Sequence, residues 1–178
     1  AQIATLSARR GRAAVVWRYD PILFSDLTSP DWHRRNFTHL ARALSPYVDE
    51  VTVSFAHMYR KTVRNLKTAA AAGNFDWRDP DDDERRSFLA ELATIATDHG
   101  LRLTVCSQPT LEQEGAGAAA CIDAERLSRV AGHPVTARQK GNRPGCLCAE
   151  SRDIGAYDSC AHGCVYCYAV RDHAKARE

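Results

Sequence analysis

Three short β-branched runs separated by two amphipathic stretches constrain this chain more than anything else in it. The runs are residues 13–20, which ends in polar residues before Pro21, 50–56, with His57 just past its end, and 101–106, followed by Ser107 and Gln108. After the first, Ser29-Pro30-Asp31 supplies an N-cap, a proline at the first helical position and an acidic first turn. Phe37, Leu40, Ala41 and Leu44 follow at i, i+3, i+4 and i+7, so the spacing predicts a helix ending before Pro46. After the second run, residues 58–72 read as a helix and 73–80 as a loop holding Trp77. Phe88, Leu89, Leu92, Ala93, Ile95 and Ala96 then form a wide apolar stripe stopped by Gly100. The acidic residues 79–84 at the start of that stripe complement the positive end of a helix dipole, with metal binding as the alternative. Parallel strands cannot be joined by tight turns, so strand, helix, strand, helix, strand predicts an α/β fold: a parallel-sheet, partial (β/α) barrel with crossover helices. Residues 115–120 are small and lack the Lys-Ser/Thr of a phosphate loop, so they read as a loop, and 123–130 as a short helix. The expected layout is a barrel-like region over 1–130 and an irregular, cysteine-rich C-terminal segment over 131–178 packed on it.

In such sheets ligands bind beyond the carboxyl ends of the strands. That rule sends Arg18, Tyr19, Asp20, Ser54, His57, Cys106, Ser107 and Gln108 to one rim. Any one of them alone is as readily a capping or satisfied polar group; their convergence is what makes Arg18, Asp20, Ser54 and His57 candidates for cofactor or substrate contacts. Charge adds little, since 24 basic against 22 acidic residues leave +2 and no large field for nucleic acid or an acidic membrane. The basic residues Arg60, Lys61, Arg64 and Lys67 read first as a solvated helix face and second as a phosphate or nucleic-acid contact. No run of 18 apolar residues and no signal-peptide core is present, so a cytoplasmic protein with no membrane partner is expected. The chain starts at Ala1 and its one methionine is Met58, which suggests a processed or partial chain.

Seven cysteines, five of them between 146 and 167, are clustered in the manner of metal ligands rather than of a disulfide framework. The segment Cys160-Ala-His-Gly-Cys164-Val-Tyr-Cys167 places three thiols in the spacing Cys-x3-Cys-x2-Cys. Closed zinc and iron–sulfur sites take four protein ligands, so three thiols leave one metal corner free. The competing reading is a four-coordinate zinc site completed by His162, His173 or Cys148. The other four cysteines, Cys106, Cys121, Cys146 and Cys148, are the number a closed second site requires, for zinc or an auxiliary iron–sulfur cluster; sulfur ligands alone do not choose. For Cys106 and Cys121 a small buried hydrophobe is an equal reading. Cys146 and Cys148 lie in a Gly/Pro-rich stretch whose ordering ligation would explain.

The three-thiol spacing, with Tyr166 just before its last cysteine, resembles the loop of radical S-adenosylmethionine enzymes. Together with Val16-Trp-Arg-Tyr-Asp-Pro-Ile22, Ser54-Phe-Ala-His-Met-Tyr-Arg-Lys-Thr62 and residues 153–169, it resembles over nearly its whole length an uncharacterised bacterial domain-of-unknown-function family with such cysteines at its C-terminus. Members are longer at the N-terminus, so the chain resembles their C-terminal part. The resemblance implies a [4Fe–4S] cluster on Cys160, Cys164 and Cys167 whose open iron binds S-adenosylmethionine. It further implies Tyr166 near the adenine, a 5′-deoxyadenosyl radical acting on an unknown substrate, and an electron donor such as a flavodoxin or ferredoxin. In ordinary radical enzymes the loop follows the first strand; here it ends the chain, which a circular permutation of a cyclic barrel would accommodate if the loop lies at the carboxyl rim. Two rivals remain: a non-catalytic iron–sulfur or zinc module for structure or redox sensing, and a radical-type nucleic-acid repair protein.

Overall fold

The computed structural model describes residues 2–152, 154–167, 170, 172 and 174–177. Its centre is a four-stranded parallel sheet made of β1 (Trp17–Ile22), β3 (Glu50–Phe55), β5 (Arg102–Val105) and β6 (Ala116–Ala118), adjacent in that order. Sequential order without reversal is the arrangement of a barrel arc, in agreement with the expected α/β class. A two-stranded antiparallel sheet, β2 (Phe24–Ser25) with β4 (Trp77–Arg78), stands beside it. The helices are α1 (Gln2–Arg10), α2 (Pro30–Leu44), α3 (Arg60–Gly73), α4 (Asp82–Asp98) and α5 (Ala124–Ala131).

Local chemistry explains these bounds. The Ser29 hydroxyl accepts from Trp32 N at 3.2 Å and Pro30 opens α2. Asp81 caps α4 by accepting from Glu84 N at 2.9 Å. The acids at that helix start are paired with arginines, Asp79 and Asp82 with Arg85, Asp83 with Arg86 and Glu84 with Arg78, so they serve the helix end. β1 starts four residues later and ends two residues later than the expected 13–20, and residues 12–14 form a 3-10 turn. Pro21 lies within β1, where the register with β3 shifts between Tyr19 and Ile22. A proline without an N–H is tolerated there because β1 is the sheet edge. Residues 116–118, expected as loop, are a strand: Ala116 is fully buried and pairs with Leu103.

Side chains alternate across the sheet, so one face carries Trp17, Tyr19, Val51, Val53, Phe55, Leu103 and Val105. These form the core with Phe37 and Ala41 of α2 and Phe88, Leu89 and Leu92 of α4. Phe37 stacks between Trp17 and Tyr19, with ring centroids at 4.8 and 5.2 Å. The opposite face is polar. Arg18 and Asp20 stand on β1, Glu50, Thr52 and Ser54 on β3, Arg102 and Thr104 on β5, and Thr52 and Thr104 share a hydrogen bond of 3.1 Å.

The irregular stretch after α5 contains a small hairpin. Gln139 bridges Ala149, Lys140 N donates to Cys148 O at 2.9 Å and Glu150 N to Arg138 O at 2.8 Å. Ala149 N donates to Ile122 O at 2.8 Å, which ties the hairpin to the chain following β6. A Cβ on Gly141 would lie 2.2 Å from the Cys146 carbonyl oxygen, so only glycine lets the two arms cross so closely.

Candidate metal and substrate site at the carboxyl rim

The polar face of the sheet leads from one edge to the other, and its carboxyl end gathers most of the expected residues. Arg18 pairs with Asp20, and the Ser54 hydroxyl donates to the other oxygen of the same carboxylate. Asp20 thus has one oxygen engaged from its own strand and the other from β3. Burial opposes the Arg18 charge, but the bond to Asp20 and the nearby Asp20, Cys121 and Cys106 groups together outweigh it and raise its pKa.

His57, just past β3, stacks on Tyr59 with centroids 5.5 Å apart, and its Nε2 is buried without a hydrogen-bond partner among the described residues. Burial pushes its pKa below the ordinary imidazole value and the Arg143 charge adds to the effect, so the ring is neutral near pH 7. Two residues expected at the rim face elsewhere. The Tyr19 hydroxyl meets His33 Nδ1 at 2.7 Å inside the core, because Tyr19 shares the face of Trp17. The Gln108 side chain pairs with the Phe55 backbone, accepting from its N–H at 2.8 Å and donating to its carbonyl at 3.2 Å, in place of a strand neighbour.

Cys106, Cys121, Cys146 and Cys148 line one pocket of about 1000 Å³ together with Arg18 and Arg143. Cys106 Sγ lies 3.6 Å from Cys121 Sγ, and all seven cysteines are free thiols. Arg18 Nη1 donates to Cys121 Sγ at 2.7 Å and Arg143 Nη2 to Cys106 Sγ at 3.3 Å. The two thiols lie within hydrogen-bond reach of each other. The bond from Cys121, reinforced by Arg143, Arg18 and Ser107, brings Cys106 down to about 4, while the same bond and then burial push Cys121 up. Arg143 and the Arg18–Cys121 contact were not foreseen from sequence; a cation beside a thiol within a Gly/Pro-rich stretch is the only signal that pointed to them.

The segment carrying Cys160, Cys164 and Cys167 reaches the same rim. Ile154 and Tyr157, which lead into it, line the pocket with Arg18. Lys61 Nζ, at the start of α3, donates to the Val170 carbonyl. Burial raises the Tyr166 pKa, and Cys164, Asp20 and Cys167 add to the rise, so this ring lies among the thiols and within electrostatic reach of β1. Gly163 turns the chain at φ 72°, and Cys167 N donates to Cys164 O at 2.9 Å, closing a turn with both cysteines on it. Cys160 and Cys164 are exposed and Cys167 half-buried. His162 is exposed, and His173, another expected candidate for a fourth ligand, lies outside the described residues. Among the described residues no three His, Cys, Asp or Glu side chains are already gathered around a point that would hold a metal ion. No helix is long and apolar enough to cross a membrane.

No curated protein and no solved structure matches this chain. A family model does, over residues 1–169 of the 178, which takes in the sheet, the hairpin and all seven cysteines. The chain therefore belongs to the family described as domain of unknown function DUF1848.

Proposed function

We propose that this is a radical S-adenosylmethionine-type iron–sulfur protein in which Cys160, Cys164 and Cys167 hold a [4Fe–4S] cluster. The observation that carries the reading is the pocket at the carboxyl rim, where Ile154 and Tyr157, which lead into the three-thiol segment, share one lining with Arg18 of β1 and Cys106, at the edge where parallel sheets bind ligands. The donor set fits the group: three free thiols, two of them on one closed turn, with a glycine bend between the first two. When bound, such a cluster chelates S-adenosylmethionine at its fourth iron and supplies the electron that releases a 5′-deoxyadenosyl radical.

The chain's own residues do the positioning. Asp20, fixed by Arg18 and Ser54, offers a carboxylate held in one orientation for a hydroxyl or ammonium donor. His57, neutral and stacked on Tyr59, backs a side chain that lines the pocket, and its Nε2 is buried with no partner among the described residues. Tyr166 offers an aromatic face beside the thiols. The substrate and the electron donor, a flavodoxin or ferredoxin in this reading, would approach the exposed side.

The test is anaerobic reconstitution with iron and sulfide, followed by S-adenosylmethionine and dithionite. The expected result is labile sulfide with iron and production of 5′-deoxyadenosine, both lost in Cys164→Ala. Iron binding without 5′-deoxyadenosine would instead favour a non-catalytic metal module, and a protein that takes up no iron would sink the reading.

A further inference from the structure

We infer that Cys106, Cys121, Cys146 and Cys148 form a second, closed metal site that takes one divalent ion of the zinc class, separate from the three-thiol segment. The inference does not rest on the proposed radical chemistry. Its starting point is a distance. The Cys106 and Cys121 sulfurs are 3.6 Å apart. That is far beyond a disulfide bond of about 2.05 Å. It is close to the edge, about 3.8 Å, of a tetrahedron built on metal–sulfur bonds of about 2.3 Å. Two sulfurs at that separation suit a single ion. A four-iron cluster would put each cysteine on a different iron and spread them further.

The second pair faces the first. Cys146 and Cys148 line the same pocket as Cys106, Cys121 and Ser107. Cys148 Sγ already accepts a hydrogen bond from Ile122 N at 3.4 Å, the backbone N–H support that metal-bound thiolates receive from their surroundings. The sulfurs also have cationic neighbours: Arg18, whose other nitrogen pairs with Asp20, donates to Cys121, and Arg143 donates to Cys106, which offsets part of the two negative charges that four thiolates around one divalent ion leave. Cys106 and Cys121 are held by the sheet and the segment after β6, whereas Cys146 and Cys148 ride on the hairpin. Assembly therefore brings the hairpin pair onto the fixed pair, and the ion supplies the ordering energy that the hairpin's few backbone bonds do not. This route accounts for the absence, among the described residues, of three ligands already gathered.

The experiment starts from the protein carrying Cys160→Ala, Cys164→Ala and Cys167→Ala together, so that the three-thiol segment contributes nothing. Purified with zinc and dialysed, it should retain about one ion per chain, the stoichiometry of a four-thiolate centre. Replacement by Co(II) should give the sulfur-to-metal charge-transfer absorption and the visible bands of a tetrahedral all-sulfur site. Adding Cys121→Ser or Cys148→Ser should remove the ion. Zinc content equal to that of a chelator-treated blank, or full retention in both serine variants, overturns the proposal. So does an intact mass showing a Cys106–Cys121 disulfide in protein prepared under reductant. If a serine variant does not fold, the cobalt spectrum of the triple variant still decides, since its charge-transfer intensity counts coordinated sulfurs. Loss of 5′-deoxyadenosine in the triple variant tests the first cluster alone, so the two readings fail separately.

Discussion

The two ends of the sheet's polar face are built from the same strands and finished in opposite ways. At the amino end Glu50, 4% exposed, accepts from Arg102, Arg126 and the Thr104 hydroxyl. Arg126 reaches up from α5 and also donates to Asp49 Oδ1 at 2.8 Å and the Ala13 carbonyl at 2.9 Å. A helix closes that end, and its buried charges are matched. At the carboxyl end the closure is a hairpin and an irregular cysteine segment, and there the groups are left with capacity: an imidazole nitrogen unpaired among the described residues, two thiols 3.6 Å apart, and five further thiols nearby in sequence or space. Conserving charge neutrality at one end secures the fold, and withholding partners at the other leaves room for a ligand.

The largest test of this contrast is Arg126→Ala. It leaves the Glu50 carboxylate with the Thr104 hydroxyl and Arg102, whose side chain is 60% exposed, as its partners, and should cost about 3–5 kcal/mol, read as a shift of the urea midpoint. Arg18→Ala at the other end breaks a half-exposed pair and should cost no more than about 1 kcal/mol. Equal costs would erase the distinction between the two ends. Next in size is Gly141→Ala. The new methyl meets the Cys146 carbonyl, the arms must part, and about 1–3 kcal/mol is lost from the hairpin. Limited proteolysis should then cut within residues 131–152 well before the sheet unfolds.

Much of the fold was legible because it follows from period and caps. The second and third strands and the helices α2 and α4 lie where apolar spacing, Ser29 and the acids before α4 put them. β6 was not, since Ala-Gly-Ala carries no β-branched residue; its strand geometry comes from pairing with β5, a tertiary effect. α1 buries no residue, so no apolar stripe announced it. β2 and β4 are two residues each, too short to show a period. At the site, alternation is the reliable guide: it separates Arg18 and Asp20 from Tyr19, and overlooking it is what sent Tyr19 to the rim. The closeness of Cys106 and Cys121 comes from the pairing of β5 with β6, and the placing of Arg143 beside them from how the hairpin folds back; neither has a local signature.

A pH scan sharpens the comparison without mutation. Burial pushes the His33 and His57 imidazoles below their ordinary value, so the unfolded chain binds protons that the folded one refuses. Stability should therefore be level above the unfolded histidine value of about 6.5 and fall as pH drops below it. His33 matters more, because its ring is locked between the Tyr19 hydroxyl at 2.7 Å and the Leu23 carbonyl at 3.0 Å. In His33→Gln the slope between pH 7 and 5.5 should shrink, measured as urea midpoints. A slope unchanged by that substitution would shift the cause to other groups.

The smallest effect on stability belongs to the three-thiol segment. Cys164 is exposed and its turn is held by backbone, since Cys167 N donates to the Cys164 carbonyl whatever the side chain. Cys164→Ala should therefore move the unfolding free energy by no more than about 0.5 kcal/mol, as surface substitutions do. The same change should abolish iron uptake at this segment, because two thiolates do not hold a cluster that needs three. Urea unfolding of the metal-free protein and iron content after anaerobic reconstitution, measured on one preparation, separate the two. A cost near that of Arg126→Ala would mean that the segment is part of the folding core after all, and the carboxyl end would then be a second structural closure and no longer a place kept open for chemistry.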